Sequence, residues 1–150
     1  MINFQDFLDT QNTEDRRTFI VHGPSMSGKT QFAQRLEAKR SDVFIFDLLS
    51  YFAENHKTPY DPDTLWDMLL KNEFSKPVII LDNADFLINT WSSDNKRNFL
   101  TKIQRQIRSP RDTKHTFGFF LQSDNMFRNV RFENSHGESR ILLLNEIEAL

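Results

Sequence analysis

The chain has 150 residues, of which 38% are hydrophobic and 27% are charged, and its formal net charge is −2 at pH 7. That length and composition are typical of one globular domain with a single core, so we predict one domain over residues 1–150. The absence of Cys excludes disulfides, thiol nucleophiles and Cys-ligated metals. The low net charge excludes a broad electrostatic attraction to nucleic acid or to an anionic membrane.

The sequence also predicts the cellular location of the protein. Its first residues lack the basic run followed by an apolar stretch that marks a secretory signal. No window approaches the roughly 20 apolar residues of a membrane span. We therefore expect a cytoplasmic protein with no membrane contact. The histidines are too scattered to predict a metal cluster, and they are His22, His56, His115 and His136.

The predicted elements begin with a short amphipathic helix and then alternate between strands and helices. Five apolar runs have the length of buried strands, and segments with helical spacing lie between them. This alternation predicts an α/β fold with a parallel sheet and helices on both faces. The apolar runs are 18–22, Val43–Asp47, Val78–Asp82, Thr116–Gln122 and 140–144.

Helices are predicted from apolar spacing and from one N-cap signal. The spacing recurs in Phe4, Phe7 and Leu8, in Phe32 and Leu36, and in Phe99, Ile103 and Ile107. Asp61 followed by Pro62 is a favourable start for a helix that carries Leu65, Trp66 and Leu69. We expect the polar stretch 89–96 to be a loop that leads into a helix near Asp94.

The segment after the first strand matches the P-loop pattern G-x-x-x-x-G-K-[ST]. Glycines let backbone N–H groups turn inward, and the following helix N-terminus adds its positive dipole end, so such a loop holds phosphate. Lys29 is predicted to bind the β- and γ-phosphates and Thr30 to ligate Mg²⁺. We expect ATP·Mg²⁺ to contact Gly23, Pro24, Ser25, Met26, Ser27, Gly28, Lys29, Thr30 and Gln31.

Two later strands also end in polar residues. Asp82 closes an apolar strand in the manner of a Walker B element, whose carboxylate holds the Mg²⁺ shell, and the lesser alternative is a helix cap or turn residue. The strand Thr116–Gln122 is followed by Ser123. If that strand lies between the other two, Ser123 or Gln122 is placed to sense the γ-phosphate or to position water, and a plain turn is the alternative.

These strand ends together resemble the core of the AAA+ and STAND branches of P-loop ATPases, over about residues 18–144. The resemblance implies a five-stranded sheet of order 5-1-4-3-2. By its size, its early P-loop and the lack of further domains, the chain looks most like the BrxF-type ATPase of bacterial BREX systems. That likeness implies a regulatory subunit in a larger antiviral assembly.

Two departures from the AAA+ pattern bear on hydrolysis. AAA+ proteins commonly carry Glu after the Walker B Asp, whereas Asn83 stands here and cannot accept a proton. Asp85 is the nearest substitute, although two positions along a strand end normally change the direction of a side chain. The sequence also leaves no room for a C-terminal lid domain. We expect weak or partner-dependent hydrolysis that is completed by an arginine of a neighbouring subunit, with Arg128 and Arg131 as candidates.

The stretch 96–114 is rich in cations and holds one acid, Asp112. We interpret it first as a solvated helix surface and second as a face for nucleic-acid phosphates, with the P-loop as a switch. A small-molecule or nucleotide kinase, with Arg128 or Arg131 in a lid, is a further alternative to the ATPase subunit. The main interpretation is an ATPase that assembles with itself or with a larger protein. The cations of the stretch are Lys96, Arg97, Lys102, Arg105, Arg108, Arg111 and Lys114, of which Arg108 and Arg111 are weaker candidates for the completing arginine.

Overall fold

The computed structural model describes residues 1–54, 59 and 61–150, and His56 lies outside this part. Strands and helices alternate along the chain after a first helix. The helices are α1 (Phe4–Gln11), α2 (Lys29–Lys39), α3 (Leu48–Ala53), α4 (Pro62–Lys71), α5 (Asp85–Ile88) and α6 (Ser93–Thr101). The strands are β1 (Phe19–Gly23), β2 (Val43–Asp47), β3 (Val78–Asp82), β4 (Thr116–Gln122) and β5 (Ile141–Leu143).

The five strands form one sheet in the order β2-β3-β4-β1-β5, and every neighbouring pair is parallel. Read from the other edge this is 5-1-4-3-2, so the predicted order is confirmed. Because β4 lies between β1 and β3, the carboxyl ends of these three strands are adjacent. The register places Gly23 opposite Gln122 and Asp47 opposite Asp82 at this edge.

Helices cover both faces of the sheet, as predicted, because residues of each buried strand point alternately to the two sides. One face packs against α1 and α2, and the other packs against α3 to α6. The first face is rich in Phe, and its core includes Phe4, Phe7, Phe19, Phe32 and Phe120. The second includes Leu65, Trp66, Trp91, Phe99, Ile103, Phe117 and Phe119.

The Phe99, Ile103 and Ile107 stripe is buried as predicted, but one continuous α-helix does not carry it. The α-helix ends at Thr101 and a π-helix follows over Lys102–Gln106. The Ile103 carbonyl accepts hydrogen bonds from the Thr18 hydroxyl and the Arg140 guanidinium. The Ile107 N–H therefore bonds to the Lys102 carbonyl instead, at 3.2 Å, which widens the last turn.

Side-chain caps fix the starts of four helices, α1, α3, α4 and α6. Asp61 caps α4 by accepting the Thr64 N–H at 2.8 Å, with Pro62 in the first turn, as predicted. Ser92 caps α6, so this helix starts at Ser93 and the predicted loop over 89–96 is shortened to its first residues. In the part of the chain that the structure describes, no helix has the length and apolarity to cross a bilayer.

Candidate functional site

The loop between β1 and α2 is shaped by two glycines at the carboxyl edge of the sheet. Gly28 has φ +94°, a left-handed conformation that residues with a Cβ avoid. A Cβ on Gly23 would lie 2.8 Å from the Ser27 hydroxyl oxygen and 3.4 Å from Leu144 Cβ, so a larger residue would displace at least the Ser27 side chain. The two glycines of the motif therefore sit where the backbone conformation and the close approach require them.

Lys29 begins α2, and its ammonium folds back over the loop. It donates to the carbonyls of Gly23 at 3.1 Å and Pro24 at 2.8 Å, and more weakly to Ser27 Oγ at 3.4 Å. Burial lowers the pKa of Lys29, while the carboxylates of Asp85 and Asp82 act in the opposite direction. The cation is thus held by neutral acceptors, which bind it less strongly than anionic oxygens.

Thr30 and Asp82 join the loop to the end of β3. The Thr30 hydroxyl donates to Asp82 Oδ2 at 2.8 Å, and Asp82 is only 4% exposed. A hydroxyl and a carboxylate are oxygen ligands of the kind that Mg²⁺ takes, together with waters and phosphates. No group of three or more His, Asp or Glu residues in the described residues could hold a metal ion alone. The pair therefore fits a Mg²⁺ ion that also draws ligands from a bound phosphate.

Asp85 reaches the same cleft because the chain turns sharply after β3. Asn83 adopts φ +57°, and α5 begins two residues later at Asp85. The Asp85 carboxylate accepts the Gln122 N–H at 2.8 Å. Burial raises the pKa of Asp85, with the Gln122 N–H and Lys29 opposing and Asp82 reinforcing the shift. Strand alternation predicts that the Asp85 side chain points in a different direction. That rule does not apply here, because β3 ends at Asp82.

Asn83 lines the same cleft and lies close to the neighbouring strand. Against the effect of burial, its amide helps to lower the pKa of Asp47, the last residue of β2 and the N-cap of α3. Asp47 accepts the N–H and the hydroxyl of Ser50, at 3.2 and 3.0 Å. The position where the AAA+ resemblance leads us to look for a glutamate is therefore an amide near the end of β2.

These groups surround one cleft of about 540 Å³, which lies in the size range of small-molecule sites. The P-loop, the end of β3 and the end of β4 all contribute to its wall. We call this space the P-loop cleft. Its lining residues are Ser25, Met26, Ser27, Gly28, Lys29, Thr30, Gln31, Asp82, Asn83, Asp85 and Gln122.

Five predicted site residues lie outside the lining of the P-loop cleft. Two of them, Gly23 and Pro24, adjoin it through the carbonyls that accept from Lys29, and the other three lie elsewhere. Ser123 faces His22, with its hydroxyl 2.9 Å from Nδ1, and Gln122 takes its place at the cleft. Arg128 is exposed and lines the same hollow as Ser123. Arg131 is exposed and lines a groove beside α6. The roles predicted for these three residues stay predictions.

Two residues near the site were not singled out from the sequence. His22 was noted only as one of four scattered histidines, yet it immediately precedes Gly23 at the end of β1. Asp47 ends an apolar run in the same way as Asp82, and the register places the two side by side. A polar residue at the carboxyl end of each predicted parallel strand was the signal that could have found both.

Ion pairs compensate much of the cationic stretch 96–114. Four of its seven cations contact a carboxylate, which reduces the charge available to nucleic-acid phosphates. Lys102 reaches α4 to do so, at 2.9 Å from Asp63. The other pairs are Lys96 with Asp124, Arg97 with Asp94, and Arg111 with Asp112.

Comparisons with known proteins add little to this geometry. No protein-family profile matches the chain, and no curated protein is similar to it. A solved structure of Drosophila ORC bound to DNA matches with 16% identity and a TM-score of 0.45. The match covers 94% of this chain and 40% of that one, so the chain spans less than half of its length. A likeness this weak does not bear on function, which is argued below from the site.

Proposed function

We propose that the chain binds ATP·Mg²⁺ in the P-loop cleft and acts as a regulatory ATPase subunit with weak or partner-dependent hydrolysis. The observation that carries the proposal is the direct contact of Thr30 Oγ1 with Asp82 Oδ2, at 2.8 Å, beside Lys29. A phosphate-binding loop, a lysine and a Mg²⁺-type oxygen pair then share one wall. A turn that merely contains glycine would not need the carboxylate of a distant strand.

The chain's own groups account for nucleotide binding. The loop and the first turn of α2 present backbone N–H groups and a positive dipole end to phosphate. Lys29 exchanges the carbonyls of Gly23 and Pro24 for phosphate oxygens, which are stronger acceptors for an ammonium. When bound, Mg²⁺ neutralises phosphate charge, and Thr30 and Asp82 are the residues that would hold it.

Asp85 is the group we assign to activating water. A general base works best when its pKa lies near the operating pH, and burial moves the pKa of Asp85 upward in that direction. The Gln122 N–H fixes the carboxylate at the cleft. Asn83 also lines the cleft, but its amide has no proton-accepting group of comparable basicity. A buried aspartate in place of the usual glutamate is consistent with slow turnover.

A further positive charge on the γ-phosphate would have to come from outside the cleft, because Lys29 is the one cation among its described lining residues. Arg128 and Arg131 are exposed, so both are accessible to another molecule. We propose that a second copy or a larger partner completes the site in this way. The narrower proposal of a BrxF-type subunit in antiviral defence is supported by chain length and motif layout alone.

The proposal is tested by measuring the mass of the protein in solution with and without ATP·Mg²⁺, together with phosphate release at several chain concentrations. We expect ATP to promote self-association and specific turnover to rise with concentration, with Arg128→Ala and Arg131→Ala compared for loss of turnover at unchanged ATP affinity. A monomer that hydrolyses ATP at a concentration-independent rate would contradict the assembly. Turnover that rises only when a phosphoryl acceptor is added would instead indicate a kinase.

A further inference from the structure

A second hollow lies beside the P-loop cleft, where β1 and β4 end. Its volume is about 490 Å³, within the range of small-molecule sites. We call it the His22 hollow. Gln122 lines the P-loop cleft while the next residue, Ser123, lines the hollow, so the end of β4 separates the two spaces. The lining residues are His22, Ser123, Asp124, Asn125, Phe127 and Arg128.

The one acid of the His22 hollow is already compensated. Asp124 Oδ2 accepts the Lys96 ammonium at 3.1 Å, and Oδ1 accepts the Met126 N–H at 2.9 Å. Hydrogen bonds to the backbone and to Lys96 lower the pKa of Asp124 despite its partial burial. This carboxylate therefore contributes little net negative charge to the hollow.

The remaining polar groups of the hollow are hydrogen-bond donors with free capacity. The guanidinium of Arg128 is exposed and makes no ion pair or hydrogen bond with any residue in the described ranges. His22 Nδ1 hydrogen-bonds to the Ser123 hydroxyl, and within the same ranges its Nε2 has no partner. Nε2 is a donor in the tautomer in which Nδ1 accepts from that hydroxyl, and also when the ring is protonated. The imidazole is held in place by packing on the Phe127 ring, at 4.8 Å between centroids. The Asn125 amide adds a third donor.

Nearby groups act on the charge of His22 in opposite directions. Burial lowers the pKa of His22, Glu146 after β5 raises it, and Lys29 lowers it by a smaller amount. An anion next to the ring would offset burial and the Lys29 charge, so it would favour the protonated imidazole. The Gly23 carbonyl accepts both the Ser123 N–H, at 2.9 Å, and the Lys29 ammonium. A ligand in the hollow would therefore lie close to the Gly23 carbonyl, which also holds the Lys29 ammonium.

We propose that the His22 hollow is a second ligand site, which binds the phosphate or carboxylate group of a small anionic molecule through Arg128, His22 and Asn125. The site is separate from the nucleotide phosphates of the P-loop cleft and does not depend on them. Its use of Arg128 leaves Arg131 as the arginine available to a neighbouring subunit.

The test follows the ring signals of His22 by NMR while inorganic phosphate and, separately, acetate are added at constant ionic strength. His22→Gln identifies the signals, and the exposed His136 serves as an internal control. The titrations are repeated in Arg128→Gln, in Arg131→Gln as the matched control, and in Lys29→Ala, which weakens anion binding in the P-loop. Both arginines are exposed, so neither substitution is expected to disturb folding.

We expect a saturable shift of the His22 signals with at least one anion, in the wild type, in Arg131→Gln and in Lys29→Ala. Loss of the charged donor in Arg128→Gln should weaken binding at least about tenfold. A response to phosphate alone assigns the hollow to phosphate-bearing ligands, and a response to acetate alone assigns it to carboxylates. A linear response, one unchanged in Arg128→Gln, or one lost in Lys29→Ala would overturn the proposal.

Discussion

The charged side chains at the two ends of the sheet have different surroundings. At the amino end, Arg140 is 2% exposed and donates to Thr18 and to the carbonyls of Ile103 and Gln104. Arg40 bonds there to Asp9 and Asp42, at 2.8 and 2.9 Å. The carboxylates raise the pKa of Arg40 above its usual value. Charged groups at this end are used to hold elements together.

At the carboxyl end, three charged groups share one cleft without forming an ion pair. Lys29 bonds to carbonyls, Asp82 to a hydroxyl, and Asp85 to a backbone N–H. Among the residues that the structure describes, Arg140 also lacks a carboxylate partner, but all three of its guanidinium nitrogens donate to Thr18, Ile103 or Gln104, so its charge joins separate segments of the fold. The three charged groups at the carboxyl end instead line an open cleft, which agrees with our proposal of a ligand that carries complementary charges.

The largest effect is expected at the amino end. Arg140→Met should lower the free energy of unfolding by about 3 kcal/mol, because the carbonyls of Thr18, Ile103 and Gln104 each lose a hydrogen bond from the guanidinium. Urea unfolding measures this change, with Arg131→Met as an exposed control that should stay within about 0.5 kcal/mol. Equal changes in the free energy of unfolding of the two variants would show that the hydrogen bonds of Arg140 do not stabilise the fold.

The next effect tests the carboxyl end through turnover rather than stability. Asp85→Asn should reduce phosphate release by about 100-fold while ATP affinity changes little, because the amide cannot accept a proton. Phosphate release and calorimetric ATP binding are compared in the same preparations. Asp94→Asn, an exposed aspartate at the start of α6, is the control. Rapid hydrolysis by the Asp85→Asn variant would show that another group acts as the general base.

Asn83→Glu gives a smaller and more instructive effect. The sequence suggests that this change restores the usual base and raises the rate. The structure predicts a cost of about 1 kcal/mol, because Glu would have to adopt the φ +57° conformation. It would also place a second carboxylate near Asp47. When Asp47→Asn is added to Asn83→Glu, the free energy of unfolding and the rate of phosphate release should therefore both rise. If neither quantity rises, Asp47 does not lie close enough to residue 83 to repel the new carboxylate.

The smallest effect concerns pH. Because the pKa of Asp85 is raised in the folded state, the folded protein binds a proton more tightly there than the unfolded chain does. Its contribution to stability is thus favourable at low pH and is lost as pH rises through the raised pKa. Without nucleotide, Asp85→Asn should unfold at a higher temperature than the wild type at pH 7, with the difference shrinking towards pH 4. A constant difference would show that Asp85 titrates normally.

Much of the fold could be predicted because its signals are local. Apolar runs of strand length, the Asp61–Pro62 helix start and the loop glycines each depend on neighbouring residues. The strand order came from resemblance to the AAA+ core, and the sheet confirms it. The contact between Thr30 and Asp82 follows from that order, since β4 places both residues at one edge.

What could not be predicted depends on contacts between distant parts of the chain. The π-helix forms because Thr18 and Arg140 take the Ile103 carbonyl, and no periodicity in the sequence reports this. Asp85 enters the cleft because Asn83 turns left-handed, which a strand pattern cannot show. Ser123 and Gln122 were both candidates for the cleft. Ser123 instead hydrogen-bonds to His22, 101 residues earlier, and Gln122 lines the cleft.

The most direct test of the central claim compares two lysines at opposite ends of α2. Lys29 begins this helix in the P-loop cleft, and Lys39 ends it in solvent. ATP·Mg²⁺ at 100 times its dissociation constant should stabilise the wild type and Lys39→Ala by about 2.7 kcal/mol, measured as a thermal shift. Lys29→Ala should fold normally and lose most of this stabilisation. Equal shifts in all three proteins would contradict nucleotide binding at the P-loop.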